Sequence, residues 1–119
     1  MDFPTSVRTC FSKYATFTGR ASQSEFWFYF LFLAGLTLIL YVAEADTLIL
    51  LTALATFLPY LAACVRRLHD TGRSGWWWLL QVIPVIGPLV LHILLALPGT
   101  EGPNRFGDAP LAKPAVGAP

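Results

Sequence analysis

Three apolar runs decide what this chain can fold into. Residues 26–43 hold 18 positions without a charged side chain, residues 47–65 hold 19, and residues 74–100 hold 27 with only His92 as a titratable interruption. Runs of about 18 residues or more are long enough to cross hydrocarbon as helices. Lipid offers no partner to a backbone N–H or C=O, so a spanning segment has to satisfy its own, as a helix does. Composition points the same way: of 119 residues 55% are hydrophobic and 13% charged, against roughly a quarter charged in a soluble domain. So few charges do not cover a soluble 13.1 kDa domain, and the soluble all-α alternative is set aside.

Charge distribution orients the runs. Arg8, Lys13 and Arg20 precede the first, Arg66, Arg67 and Arg73 separate the second from the third, and only Glu44 and Asp46 lie between the first two. Basic residues near span ends are retained in the cytoplasm, so a cytoplasmic N-terminus and 66–73 loop are expected, with the Glu44–Asp46 turn outside. Ala43-Glu44-Ala45 imitates a signal-peptide cleavage site, but a second run starts almost at once, and the two read better as a helical hairpin. Cys10 and Cys64 both fall on the reducing side and are expected to stay free thiols; neither has a metal-ligand partner at a recognisable spacing. The net charge of +1 points to no charged partner, and no nucleic-acid partner, metal or cofactor is expected.

Along the chain, Phe3, Val7, Cys10, Phe11, Tyr14 and Phe17 recur at helical spacing opposite Arg8, Ser12 and Lys13, the pattern of an interfacial amphipathic helix. Ser22-Gln23-Ser24-Glu25 has capping-box spacing, which starts the first span and gives Glu25 a local role. The second span begins at Asp46 or Thr47 as its cap and contains Pro59. Ser74 is the expected cap of the third, whose Trp76, Trp77 and Trp78 suit the headgroup level. After Thr100 the chain turns to proline, glycine and small residues. The expected architecture is therefore an all-α integral membrane protein with an interfacial helix at about 3–18 and transmembrane helices at about 23–43, 47–68 and 75–97. The third is kinked between Pro84 and Pro88; one membrane domain covers 1–110, and an irregular tail covers 98–119.

Chemistry concentrates in the loop Arg66-Arg67-Leu68-His69-Asp70-Thr71-Gly72-Arg73-Ser74. Arginine suits bidentate contact with phosphate, so Arg66, Arg67, His69, Asp70 and Arg73, joined by Arg20, are candidates for one anion- or lipid-accepting surface. The plainer reading makes them topology determinants, with Asp70 neutralising an arginine and Gly72 making the turn. An acid–base pair from His69 and Asp70 lacks an accompanying nucleophile, and no catalytic residue is assigned.

The stretches GRASQSEFWF (19–28), RRLHDTGRSGWWWLL (66–80), IPVIG (83–87) and GTEGPNRFGDAP (99–110) resemble the family of domain of unknown function 805, the YhaH-like bacterial inner-membrane proteins, over roughly residues 8–110. RRLHD-x-GRSGWW followed by Asn104-Arg105-Phe106-Gly107 carries most of the specificity. The resemblance implies a bacterial inner-membrane location and a few transmembrane helices. That family has no established activity, so no functional residues carry over.

Three classes of function remain in view. The leading one is a non-enzymatic membrane module binding an anionic lipid or a protein partner through the arginine loop and the N-terminal helix, with a homo-oligomer or another membrane protein as partner. A small oligomeric transporter or channel comes second; no Asp, Glu, Lys or Arg lies mid-span to mark an ion path. A membrane enzyme acting on a lipid-like substrate comes third. The third run has its own alternative, because Pro84-Val85-Ile86-Gly87-Pro88 at its centre would suit a re-entrant hairpin that returns the tail to the cytoplasmic side. The kinked full span is preferred, since broken backbone at that depth needs burial.

Overall fold

A computed structural model describes residues 2–110, which are helical with a single isolated bridge. Helix α1 (Phe3–Ser12) is capped by Asp2, whose Oδ1 accepts the Thr5 amide at 2.9 Å. It ends well before the expected residue 18; residues 13–22 are turn and extended chain. Phe3 and Phe11 both reach the Phe32 ring, at 6.4 and 6.1 Å. Being eight residues apart, they place α1 obliquely across the next helix rather than alongside it.

Helices α2 (Gln23–Val42) and α3 (Asp46–Asp70) form the expected hairpin, and both are long and apolar enough to cross a membrane. Their surfaces separate them from the core helices of a soluble protein: Leu38, Ile39, Tyr41, Leu50 and Leu54 are each at least 60% exposed. Contiguous apolar exposure on this scale is foreign to water-soluble monomers. The cap of α3 is Ala45, without a side-chain hydrogen bond, not Asp46 or Thr47.

The third run departs from the expected span. It is a 3-10 helix, Gly75–Val82, followed by a turn and helix α4 (Ile86–Ala96), not one helix over 75–97. Ser74 precedes the 3-10 helix without making a side-chain cap bond. The two arms, of 8 and 11 residues, are each about 16 Å long, half of a hydrocarbon core of about 30 Å. They double back: the Gly75 backbone abuts the Val65 side chain, and Gly99, past the far end of α4, abuts Asp70. Both ends of the run therefore sit at the C-terminal end of α3, which is the geometry of a re-entrant hairpin.

The turn meets the burial objection in its own sequence. The amides of Ile83, Ile86, Gly87 and Leu89 bond to Leu80, Pro84, Ile83 and Val85 carbonyls, while Pro84 and Pro88 have no amide to satisfy. Val85 sits at φ 64°, ψ −59°, the centre of a γ-turn closed by the 2.7 Å Ile86–Pro84 bond. The arms meet so closely that a Cβ on Gly87 would lie 1.7 Å from the Leu80 carbonyl oxygen. Deeper in, His92 fastens α4 to α3. Its Nδ1 lies 2.8 Å from the Pro88 carbonyl, an acceptor only, so Nδ1 carries the proton and Nε2 accepts from the Tyr60 hydroxyl at 3.0 Å.

Leu91 and Leu95 of α4 are buried against Phe26, Ala63, Cys64 and Leu68, which forms the apolar core at one end of the hairpin. Beyond the reach of α4, α2 and α3 diverge around an apolar cleft of about 620 Å³ lined by Phe30, Leu33, Phe57 and Tyr60 among others.

Candidate functional site

A helix leaves its last four carbonyls without intrahelical partners, and cations near its C-terminus are favoured by the helix dipole. Here α3 and α4 end side by side, and the arginines serve those two ends. Arg67, wholly buried, donates from Nε to the Leu95 carbonyl (2.8 Å), from Nη1 to the Ala21 carbonyl (3.0 Å), and from Nη2 to the Leu97 carbonyl. Trp27 Nε1 and Gln23 Nε2, from α2, bind the carbonyls of Leu95 (3.2 Å) and Ala96 (2.8 Å). At the end of α3, the amides of Ala21 and Thr100 reach the carbonyls of Arg66 (2.9 Å) and Asp70 (2.7 Å), and Asn104 Nδ2 reaches that of His69 (2.9 Å).

The ionic pairing is as enclosed as the backbone capping. Asp70 takes Arg20 Nε on Oδ1 at 2.9 Å and Arg67 Nη1 on Oδ2, and Arg66 pairs with Glu25. Arg20 also gathers the returning tail, donating to the carbonyls of Thr100 (2.5 Å), Gly102 (2.6 Å) and Gly107 (3.2 Å). The tail then turns at Asn104-Arg105-Phe106-Gly107, where Asn104 and Gly107 exchange backbone bonds of 3.0 Å and Asn104 Oδ1 accepts the Phe106 amide. Phe106 lies flat on the His69 ring, centroids 4.0 Å apart and 3° from parallel, with the Arg105 guanidinium 4.7 Å from its centroid. His69 Nδ1 in turn faces the Gly19 carbonyl at 2.9 Å.

This arrangement corrects the expected anion surface. Arg20, Arg66 and Arg67 are 5%, 0% and 0% exposed and are engaged with carboxylates and carbonyls; of the loop arginines only Arg73 remains at the surface. The neutralising role expected of Asp70 is present, and Gly72, at φ 80°, makes the turn. His69 and Asp70 address different partners and do not pair with each other. Glu25 is the second correction: its amide donates to the Ser22 Oγ cap at 3.1 Å as expected, but its carboxylate goes to Arg66 instead of closing the capping box. Residues 98–110 are irregular as expected, with one isolated bridge, and they pack onto the cluster; residues 111–119, with Lys113, lie outside the described residues.

Several participants gave no signal of their own. Gly99 admits no side chain, since a Cβ there would lie 2.0 Å from Asp70 Oδ2. Cys10 approaches Glu25 Oε2 at 3.9 Å from α1, and burial pushes its thiol up to about 12. Both cysteines are free. Among the described residues no group of His, Cys, Asp and Glu is arranged to hold a metal ion.

Fold and site together define a small helical protein of membrane type, whose three signature stretches at 19–22, 66–75 and 99–107 converge in one buried ionic latch. The chain belongs to the family described as protein of unknown function (DUF805), whose model matches residues 14–108. It is 46% identical over 104 residues to the inner membrane protein YhaI of Escherichia coli K12, covering 82% of this chain and 88% of the relative. It is 37% identical over 112 residues to the inner membrane protein YhaH of the same strain (86% and 93%), and 30% over 122 residues to the uncharacterized protein YiiR (77% and 84%). No solved structure matches. Relatives named as inner membrane proteins, together with two apolar helices of membrane length, support an inner-membrane location.

Proposed function

We propose that the protein is a non-enzymatic inner-membrane module that crosses the bilayer twice and binds the phosphate of an anionic lipid at its cytoplasmic face. The supporting observation is that Arg105 Nη2 donates to the Gly72 carbonyl at 3.3 Å, which brings its exposed side chain to the backbone of the residue preceding Arg73 on the rim of the latch. Trp76, 78% exposed, and Trp77 follow directly, at the level where lipid headgroups begin. Two arginines carried on neighbouring segments suit the oxygens of one phosphate. The buried arginines act beneath this site as its frame, holding the tail that carries Arg105 against the loop that carries Arg73.

Orientation follows from charge. Among the described residues every Lys and Arg lies at the latch end of the α2–α3 hairpin, and the opposite turn carries Glu44 and Asp46. The latch end is therefore the cytoplasmic one under the rule for basic residues, and N-terminus and tail share it. The test uses the tryptophans as reporters: the purified protein is reconstituted with phosphatidylglycerol or phosphatidylcholine brominated on the acyl chains, and quenching is compared. Preferential quenching by the anionic lipid is expected, weakened in Arg73→Gln/Arg105→Gln by about 1 kcal/mol per lost charge. Equal quenching by the two lipids in the wild type rules the headgroup site out.

A further inference from the structure

We infer that a monoatomic anion of the halide class binds beneath α1, held by Arg66 and Tyr29. Arg66 is wholly buried, and only its Nη1 meets a carboxylate; Nε and Nη2 are buried with no protein partner. Tyr29 Oη is a third buried polar atom in the same condition. Tyr29 stands one turn beyond Glu25 on α2, and helical side chains lean back over the preceding turn, so its hydroxyl leans toward the Glu25–Arg66 pair. From the other side α1 closes the space, with the Phe11 ring 5.3 Å from that of Tyr29 and Cys10 Sγ 3.9 Å from Glu25 Oε2.

The free valences are donors and the charge is out of balance. Arg66 pairs one-to-one with Glu25 while Arg20 and Arg67 share Asp70, so the buried cluster as a whole holds one more guanidinium than carboxylate. A buried charge requires a counter-charge and complete hydrogen bonding. The Cys10 thiol does not provide it, because a group titrating near 12 stays protonated. Arg66, Tyr29 and Cys10 are all 0% exposed, so an anion there sheds its hydration, which costs a monovalent halide less than a multiply charged oxyanion. A halide also accepts several N–H and O–H donors from any direction. Its binding would lock α1 onto α2 and α3, which makes docking of the N-terminal helix anion-dependent.

The experiment is thermal unfolding of the detergent-purified full chain in potassium chloride, potassium bromide and potassium gluconate at equal ionic strength. The midpoint should rise with chloride or bromide and saturate, relative to gluconate, by linkage. Tyr29→Phe, which keeps the ring packing, should raise the half-saturating concentration about tenfold, the effect of one hydrogen bond to a charged group. Paired removal in Glu25→Met/Arg66→Met should abolish the halide effect, and Arg73→Gln should preserve it, which separates this site from the headgroup site. No rise in chloride over gluconate, or an unchanged half-saturating concentration in Tyr29→Phe, overturns the inference; the first result would mean that water satisfies these donors. Loss of the effect in Arg73→Gln would overturn it as well.

Discussion

Replacing Asp70 by Asn keeps the volume of the residue at the centre of the latch and removes its charge. Oδ1 and Oδ2 each hold a different guanidinium, Arg20 at 2.9 Å and Arg67, and the two arginine side chains are 1% and 0% exposed. Removing one partner of a buried pair costs about 3–5 kcal/mol, because the opposite charge is left uncompensated. Here two charges lose one shared carboxylate, so the upper part of that range is expected. That is a large fraction of a typical stability of about 5–15 kcal/mol. Arg73→Gln, at the surface and outside every ion pair among the described residues, should cost less than about 1 kcal/mol. Denaturant unfolding in detergent, followed by tryptophan fluorescence, measures both. A loss below about 1 kcal/mol for Asp70→Asn would refute the reasoning that the latch is ionic and dry.

Gly99→Ala places a methyl group 2.0 Å from Asp70 Oδ2, so the tail must lift; faster proteolysis of residues 98–110 is expected, and unchanged cleavage would contradict the contact. Val85→Gly removes a strained left-handed conformation from an 81% exposed valine; relief of about 1–3 kcal/mol against about 0.5–1 kcal/mol of added chain entropy predicts a net gain. Destabilisation in the same unfolding assay would argue against that turn. Cys10, titrating near 12, is only about one part in ten thousand thiolate at pH 8. In a Cys64→Ala variant, maleimide should therefore leave the folded protein unmodified and label it after denaturation, whereas prompt labelling of the native protein would show that α1 does not cover Cys10.

The hairpin was legible because length and the absence of charge mark helices long and apolar enough to cross a membrane, and α2 and α3 fall within two residues of the expected bounds. The third run was legible as apolar, and its Pro84-Val85-Ile86-Gly87-Pro88 stretch offered a re-entrant turn only as the second choice behind a full span. Hydropathy is blind to direction, and what turns the chain back is the close approach at Gly87 and the positive φ of Val85. Glu25 illustrates how a local signal conceals a distant one: the spacing from Ser22 predicts a capping box, while the carboxylate is claimed by Arg66, 41 positions away. The arginine loop was recognised as the chemical centre and placed on the wrong side of the surface. Arginines are usually exposed, and their burial here depends on carbonyls from α4 and the tail that only the fold brings near. Gly99 and Asn104 stood out only as parts of the family-like stretches, and their contacts with Asp70 and His69 join those stretches in space.

The central claim is that the third run enters and leaves the membrane on one side, so that the tail closes the latch next to the N-terminal segment. Single cysteines placed at Asp108 and at Lys13, both exposed, in a variant with Cys10 and Cys64 replaced by alanine, test it directly with a membrane-impermeant thiol reagent. Both positions are predicted to stay unlabelled in intact cells and to label equally once the inner membrane is opened. Labelling of the Asp108 position in intact cells, with Lys13 still protected, would put the tail outside and contradict the account.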